Sequence, residues 1–213
     1  MVTIISKEKV THRPLSVAQL GIWFAQQLAL KSPIYNIGEY FEIQGTIDPM
    51  LFETALRRIV AEAEVLHITF VDDSEIPQQI LNTSIDWAFT IIDVSEKPDP
   101  RAAAEAWMQA DLAQPADLIQ GPLFTFALFK AAPDCFFWYH RYHHIIMDGW
   151  GMWLIRRRVA EIYSALARDA PYTANCLASG RLCYSRSKPI IPQSSLLQTD
   201  VIGWSVLLIG PSR

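Results

Sequence analysis

Apolar residues return at helical spacing in several stretches of this chain and at strand spacing in others. Leu20, Trp23, Phe24 and Leu28 recur as on one helix face. Ser16 stands in front as an N-cap, with Gln19 three residues on in capping-box spacing, and Ser32-Pro33 ends the run. Asp48-Pro49 opens a second helix. Its stripe is Leu51, Phe52, Ala55, Leu56, Ile59, Val60, Ala63 and Leu66. Asp99-Pro100 opens a third, to about Leu112, and a fourth is predicted from about Trp150 to Ala167.

Between them, Ile37 to Gln44 alternates as a strand. His67 to Val71, Gln78 to Leu81 and Ala88 to Ile92 are further strand candidates. Gly121-Pro122 breaks the chain. Leu123 to Lys130 and Cys135 to Tyr142 then form two apolar strands around an Ala-Pro-Asp connection. Both are apolar on alternate and intervening positions alike, which places them centrally in a sheet covered on two faces. The pattern is α/β through residue 175.

Composition narrows the class. Of 213 residues, 51% are hydrophobic and 19% charged, with mean hydropathy +0.14, which excludes a disordered chain. A formal charge of −4 gives no basic footprint, so no nucleic-acid partner is expected. Cys135, Cys176 and Cys183 are odd in number without CxxC spacing, against a disulfide framework or zinc knuckle. Residues 1–10 read as a short extension; Lys7, Glu8 and Lys9 interrupt any signal-peptide core. Val201 to Ile209 falls far short of the ~20 residues that cross a bilayer. The expectation is a cytoplasmic protein with no membrane span.

The chemistry concentrates in His143-His144-Ile145-Ile146-Met147-Asp148-Gly149-Trp150, between an apolar strand and a helix. Imidazole titrates near neutrality and suits proton transfer. Adjacent residues on a strand face opposite ways, so one histidine is expected to be reactive and the other buried. Asp148 can organise the loop, and Gly149 permits a positive φ or close approach to the backbone. Three readings remain open on these residues alone. One is a buried histidine pair beside a helix capped by Asp148. Another is a metal site from His140, His143, His144 and Asp148. The third is general-base catalysis. Arg156, Arg157 and Arg158 read as a solvated helix face. Trp23, Trp107, Trp138, Trp150 and Trp153 read as core, and Cys135 as a buried thiol.

His143 to Gly149 resembles the HHxxxDG motif of nonribosomal peptide synthetase condensation domains, within the chloramphenicol-acetyltransferase-like acyltransferases. Ser16-Val17-Ala18-Gln19-Leu20-Gly21-Ile22-Trp23 resembles their SxAQxxxW signature. Glu64 to Phe70 is similar to their RHExLRTxF element and keeps Glu64, Leu66 and Phe70, but His67 replaces the second arginine, which in the family pairs with the motif aspartate. Trp138 to Tyr142 looks like starter domains of enterobactin-type siderophore synthetases.

The resemblance implies a chloramphenicol-acetyltransferase-like lobe, an α+β sandwich with a mixed sheet flanked by helices, over residues 11–175. It implies amide formation between a carrier-bound acyl or peptidyl thioester and a carrier-bound aminoacyl amine. His144 would be catalytic, His143 its buried partner, Asp148 a structural anion and Gly149 the backbone near developing charge. Ser16, Gln19, Trp23 and His67 would anchor the lobe. No metal or directly bound cofactor is implied; substrates ride on phosphopantetheine arms. Partners would be donor and acceptor carrier proteins and other synthetase modules. A non-catalytic carrier-binding module and an acyltransferase acting on a free amine or hydroxyl are the alternatives.

The family has two lobes, and no second-lobe blocks follow here. Residues 176–213 hold seven serines, four basic residues and only Asp200 as an acid, and no period continues past Leu182. This segment is expected to be poorly ordered or out of frame, leaving a truncated lobe inactive alone. Sequencing the locus checks this: a synthetase continuing in another frame is expected, and unrelated DNA after the stop counts against it.

Overall fold

The computed structural model describes residues 11–72 and 76–171, and the backbone of residues 203–209. The extension 1–10 and most of the segment beyond 175 lie outside the described residues.

Among the described residues, four helices begin at the side chains foreseen as caps. Ser16 Oγ accepts from Gln19 N, and Gln19 Oε1 accepts from Ser16 N, a complete capping box on α1 (Val17–Gln27). Asp48 takes the Met50 and Leu51 amides at the start of α2 (Pro49–Glu62). Asp99 takes the Ala102 amide at α3 (Pro100–Leu112), and Asp148 takes that of Gly151 at α4 (Gly149–Ala167).

The strands are β1 (Thr11–Pro14), β2 (Asn36–Gln44), β3 (Ile68–Val71), β4 (Gln78–Leu81), β5 (Phe89–Asp93), β6 (Phe124–Ala132), β7 (Cys135–His143) and β8 (Gly203–Ile209). A small antiparallel sheet has the order β1-β4-β3. The main sheet runs β5-β6-β7-β2-β8, with β5 parallel to β6 and the other pairs antiparallel. This is the expected mixed sheet flanked by helices.

Burial on both faces explains why β7 is rich in aromatic residues: every residue after Cys135 is buried. Phe136, Trp138 and Tyr142 join Phe52, Leu56, Ile155 and Val159 in the core under α2 and α4. Phe137 and Tyr139 pack on the other face with Ala104 and Met108 of α3. Phe52 meets Trp138 edge-on, with ring centroids 5.4 Å apart, and Tyr163 of α4 at 5.6 Å.

Several expectations are corrected. The buried face of α1 is Gln19, Trp23 and Gln26, while Phe24 and Leu28 are exposed. The glutamines face inward because backbone carbonyls there need donors. α2 stops at Glu62 rather than Leu66, with a 3₁₀ turn at Glu64–His67; Ala63 is extended, and the His67 ring bonds the carbonyl of Val60 that the helix end leaves free (2.8 Å). The arginine trio is not one solvated face. Arg156 lies 4.7 Å over the Phe41 ring. Arg158 is buried and pairs with Glu62 of α2 at 3.0 Å. Only Arg157 is exposed. Trp150 is not core: it is half-exposed and stacks on Trp153 at 4.8 Å.

β1 and β8 were not foreseen. All four β1 residues are exposed, so the strand is held by its pairing to β4, with His12 Nδ1 3.0 Å from Gln78 Oε1 and Gln79 Nε2 donating to Pro14 O at 2.9 Å. β8 pairs with β2 from Gly38↔Ile209 to Gln44↔Gly203, in a stretch where no period was read. Among the described residues no helix is long and apolar enough to cross a membrane.

Truncating the ring that joins sheet, α2 and α4 tests this packing. Phe52→Ala is expected to cost about 3–5 kcal/mol. Leu28→Ala, at an exposed position, is expected to change stability by less than about 0.5 kcal/mol. Urea unfolding midpoints measure both.

Candidate active site

β7 delivers the histidines. It is paired on both sides, and its last residue, His143, lies opposite Asn36 of β2. The chain then leaves the sheet in a turn closed by Ile146 N donating to His143 O at 3.1 Å. Ile145, Ile146 and Met147 are buried in the core, which fixes the turn from below.

His143 is 1% exposed. Its Nδ1 accepts from Ile145 N at 3.2 Å, and its Nε2 lies 3.4 Å from Gln26 Oε1. Burial, with the Arg141 charge and His144 beside it, pushes this imidazole down to about 4. The ring is therefore neutral at pH 7, as expected for the buried member of the pair.

His144 is half-buried. Its backbone N–H donates to Tyr35 O at 2.7 Å. Its Nδ1 is shielded from solvent and has no hydrogen-bond partner among the described residues, so the ring meets solvent by its other edge. Gln19 Nε2 donates to Ile145 O at 3.2 Å. The backbone on both sides of the His144 side chain is thus held. Trp23, 1% exposed and tilted against Phe70 at 5.8 Å, seats α1 so that Gln19 reaches that carbonyl.

Asp148 caps α4 through Gly151 N at 2.8 Å. Among the described residues no cation pairs with it. His67, at the family's arginine position, is occupied with Val60 O, so it does not take over that partnership. Gly149 is exposed, its φ is not positive, and a Cβ there would meet nothing within 4 Å. Its conformation needs no glycine. The tighter position is Gly151, where a Cβ would stand 2.5 Å from Met147 Sδ and that side chain would have to move.

The histidines do not converge on a metal. His140 is fully buried and stacks on Trp138 at 4.9 Å and Phe41 at 5.6 Å, under α2 and α4. His143 turns instead towards Gln26 and Tyr35. Among the described residues no three His, Cys, Asp or Glu side chains form a ligand cluster. Burial and Glu42 push the Cys135 thiol up, away from a reactive thiolate.

Two residues escaped the sequence reading. A glutamine on a helix ordinarily faces solvent, and the only sequence signal of Gln26 is a place on the Trp23 face, seven residues after Gln19. Arg141 binds Asp111 of α3 through Nε (2.7 Å) and Nη2 (3.3 Å), and Nη2 also donates to Thr125 at 2.7 Å, bracing β7 just before the motif.

Comparison with known proteins agrees with the motif reading. Residues 9–179 match the family profile described as "Condensation domain". The dimodular nonribosomal peptide synthase of Bacillus subtilis is 53% identical over 154 residues, 72% of this chain and 6% of that protein. Enterobactin synthase component F of Shigella flexneri is 36% identical over 166 residues, 77% of this chain and 13% of that protein. The crystal structure of the starter condensation domain of rhizomide synthetase RzmA superposes with a TM-score of 0.74 at 48% identity, covering 78% of this chain and 40% of that one. The chain thus spans well under half the length of these relatives. On these grounds the chain belongs to the condensation-domain family of nonribosomal peptide synthetases.

Proposed function

We propose that residues 11–171 supply the histidine-bearing half of a starter-type condensation site, in which His144 serves the attack of an aminoacyl amine on an acyl thioester. The observation that carries this reading is the His144 ring: half-buried at the end of a doubly covered strand, backbone held, Nδ1 without a partner among the described residues.

That free Nδ1 has a chemical consequence. With no carboxylate or carbonyl among the described residues fixing one tautomer, the outer nitrogen can present a lone pair or a proton. As a lone pair it takes the proton released when the amine nitrogen bonds to the thioester carbon. As N–H it steadies the oxyanion of the tetrahedral intermediate. Collapse breaks the carbon–sulfur bond, and the departing thiolate carries the proton away as a thiol. No other group has to enter the step. His143 stays neutral and structural, Asp148 holds the start of α4, and the open space at Gly149 leaves the backbone approachable.

Both substrates in this reading arrive on phosphopantetheine arms. Donor and acceptor carrier proteins and neighbouring synthetase modules are the partners, in the cytoplasm. The relatives' names support a siderophore or lipopeptide setting: one is an enterobactin synthase, and another, from Streptomyces coeruleorubidus, an isonitrile lipopeptide synthase.

The test places residues 11–171 in the matching half of a complete condensation domain and supplies loaded donor and acceptor carriers. The expected result is an amide product by mass spectrometry that falls at least about a hundredfold in His144→Ala, the scale of a lost general base. Product undiminished in the folded variant overturns the role of His144. Transfer to a free amine without any carrier overturns the carrier-bound reading.

Acid titration checks His143. Its folded value lies below the ordinary one, so its contribution is complete above pH 6.5 and is lost as pH falls from 6.5 towards about 4. That interval corresponds to roughly 3 kcal/mol. Burial lowers His140 too, so that ring also takes stability away as pH falls below the ordinary histidine range. In His143→Gln the urea midpoint is expected to be lower at pH 7 and to decline less steeply towards pH 4 than in the unaltered chain.

A further inference from the structure

We infer that Gln26 is a positioning residue for His144: its amide fixes the proton of His143 on Nε2, and His143 Nδ1 thereby holds the N–H of Ile145, in the peptide that follows His144.

Gln26 is 3% exposed. Its Nε2 donates to Ala29 O at 2.9 Å and to Ser32 O at 3.1 Å. Carbonyls only accept, so both amide protons are spent and the orientation of the amide is decided. Oε1 is left facing His143 Nε2 at 3.4 Å. An oxygen there requires a proton on that nitrogen, and a neutral imidazole then carries its lone pair on Nδ1. That lone pair receives the Ile145 amide at 3.2 Å. The opposite tautomer would set N–H against N–H at Ile145 and lone pair against oxygen at Gln26, leaving two buried positions unsatisfied at once.

Three holds then meet around His144. Its own N–H is taken by Tyr35 O, the next N–H by His143 Nδ1, and the next carbonyl by Gln19. Two of them depend on α1, one directly through Gln19 and one through Gln26 and His143, so one helix bears on the two peptides that follow the reactive ring. The groups facing His143 favour neutrality. Arg141 on its own strand is cationic and bound to Asp111 of α3, His144 is adjacent, Tyr35 offers a ring at 6.0 Å, and Gln26 is uncharged. An acid in place of Gln26 would reverse that preference.

The catalytic meaning of this chain of contacts rests on the condensation reading, but the tautomer can be read without turnover. The experiment is nitrogen-15 NMR of the histidine rings in the full chain, with amide exchange at Ile145. In the unaltered protein the proton is expected on Nε2 of His143, with Ile145 protected. In Gln26→Met the two tautomers are expected to mix and Ile145 exchange to quicken by about tenfold, one hydrogen bond's worth. In Gln26→Glu the titration of His143 is expected to move up towards its ordinary value. A proton on Nδ1 in the unaltered chain overturns the assignment, and that reading needs no variant to fold. Folded variants that lose only melting temperature, with tautomer and titration unmoved, overturn it equally.

Discussion

A strand buried on both faces cannot shift by one residue, because every side chain would change partners. β7 is such a strand. Trp138 and Tyr142 lie in one core and Phe137 and Tyr139 in the other, with β6 and β2 bonded along its edges. A slip would drive aromatic rings into the wrong layer. The position of His144 inherits that constraint, since it is the first residue past the strand end. The rest of the fold can be understood as closing the two faces and tying off the turn.

Closing the faces brings charges inside, and the fold neutralises them in pairs. Arg141 meets Asp111 across the α3 layer, and Arg158 meets Glu62 between α4 and α2. Such pairs return little net stability against burying apolar groups in their place. They do specify which helix lies over which strand. Asp111 also accepts from Tyr139, so the C-terminal end of α3 is registered against β7 by two side chains.

The elements that could be read from sequence are those whose cause is local. Asp48-Pro49, Asp99-Pro100 and the Ser16–Gln19 box each place cap and first turn within four residues, and the helices begin there. β6 and β7 were legible because burial on two faces puts apolar residues on neighbouring positions, as in Phe126 to Phe129 and Phe136 to Tyr139. What escaped depends on partners distant in the chain. Nothing in Thr11 to Pro14 marks a strand until β4 offers its edge. Arg158 reads as solvated until Glu62, on another helix, is known to face it. The motif histidines were visible, and so was their division into a buried and a half-open ring. Gln26 was not, because its role exists only through His143, 117 residues away.

The two histidines also solve an electrostatic problem for each other. In the proposed reaction His144 becomes an imidazolium, and any uncompensated cation beside it would oppose that step at low effective dielectric. Two candidates lie close along the chain. Arg141 has its charge met by both oxygens of Asp111, and burial keeps His143 neutral. A lysine or arginine at 143 would fill the volume but leave a second charge against the developing one. A leucine would leave the Ile145 amide without an acceptor. A neutral, buried histidine avoids both faults: it accepts from the backbone, donates to Gln26, and adds no charge next to the ring that gains one in the proposed proton transfer.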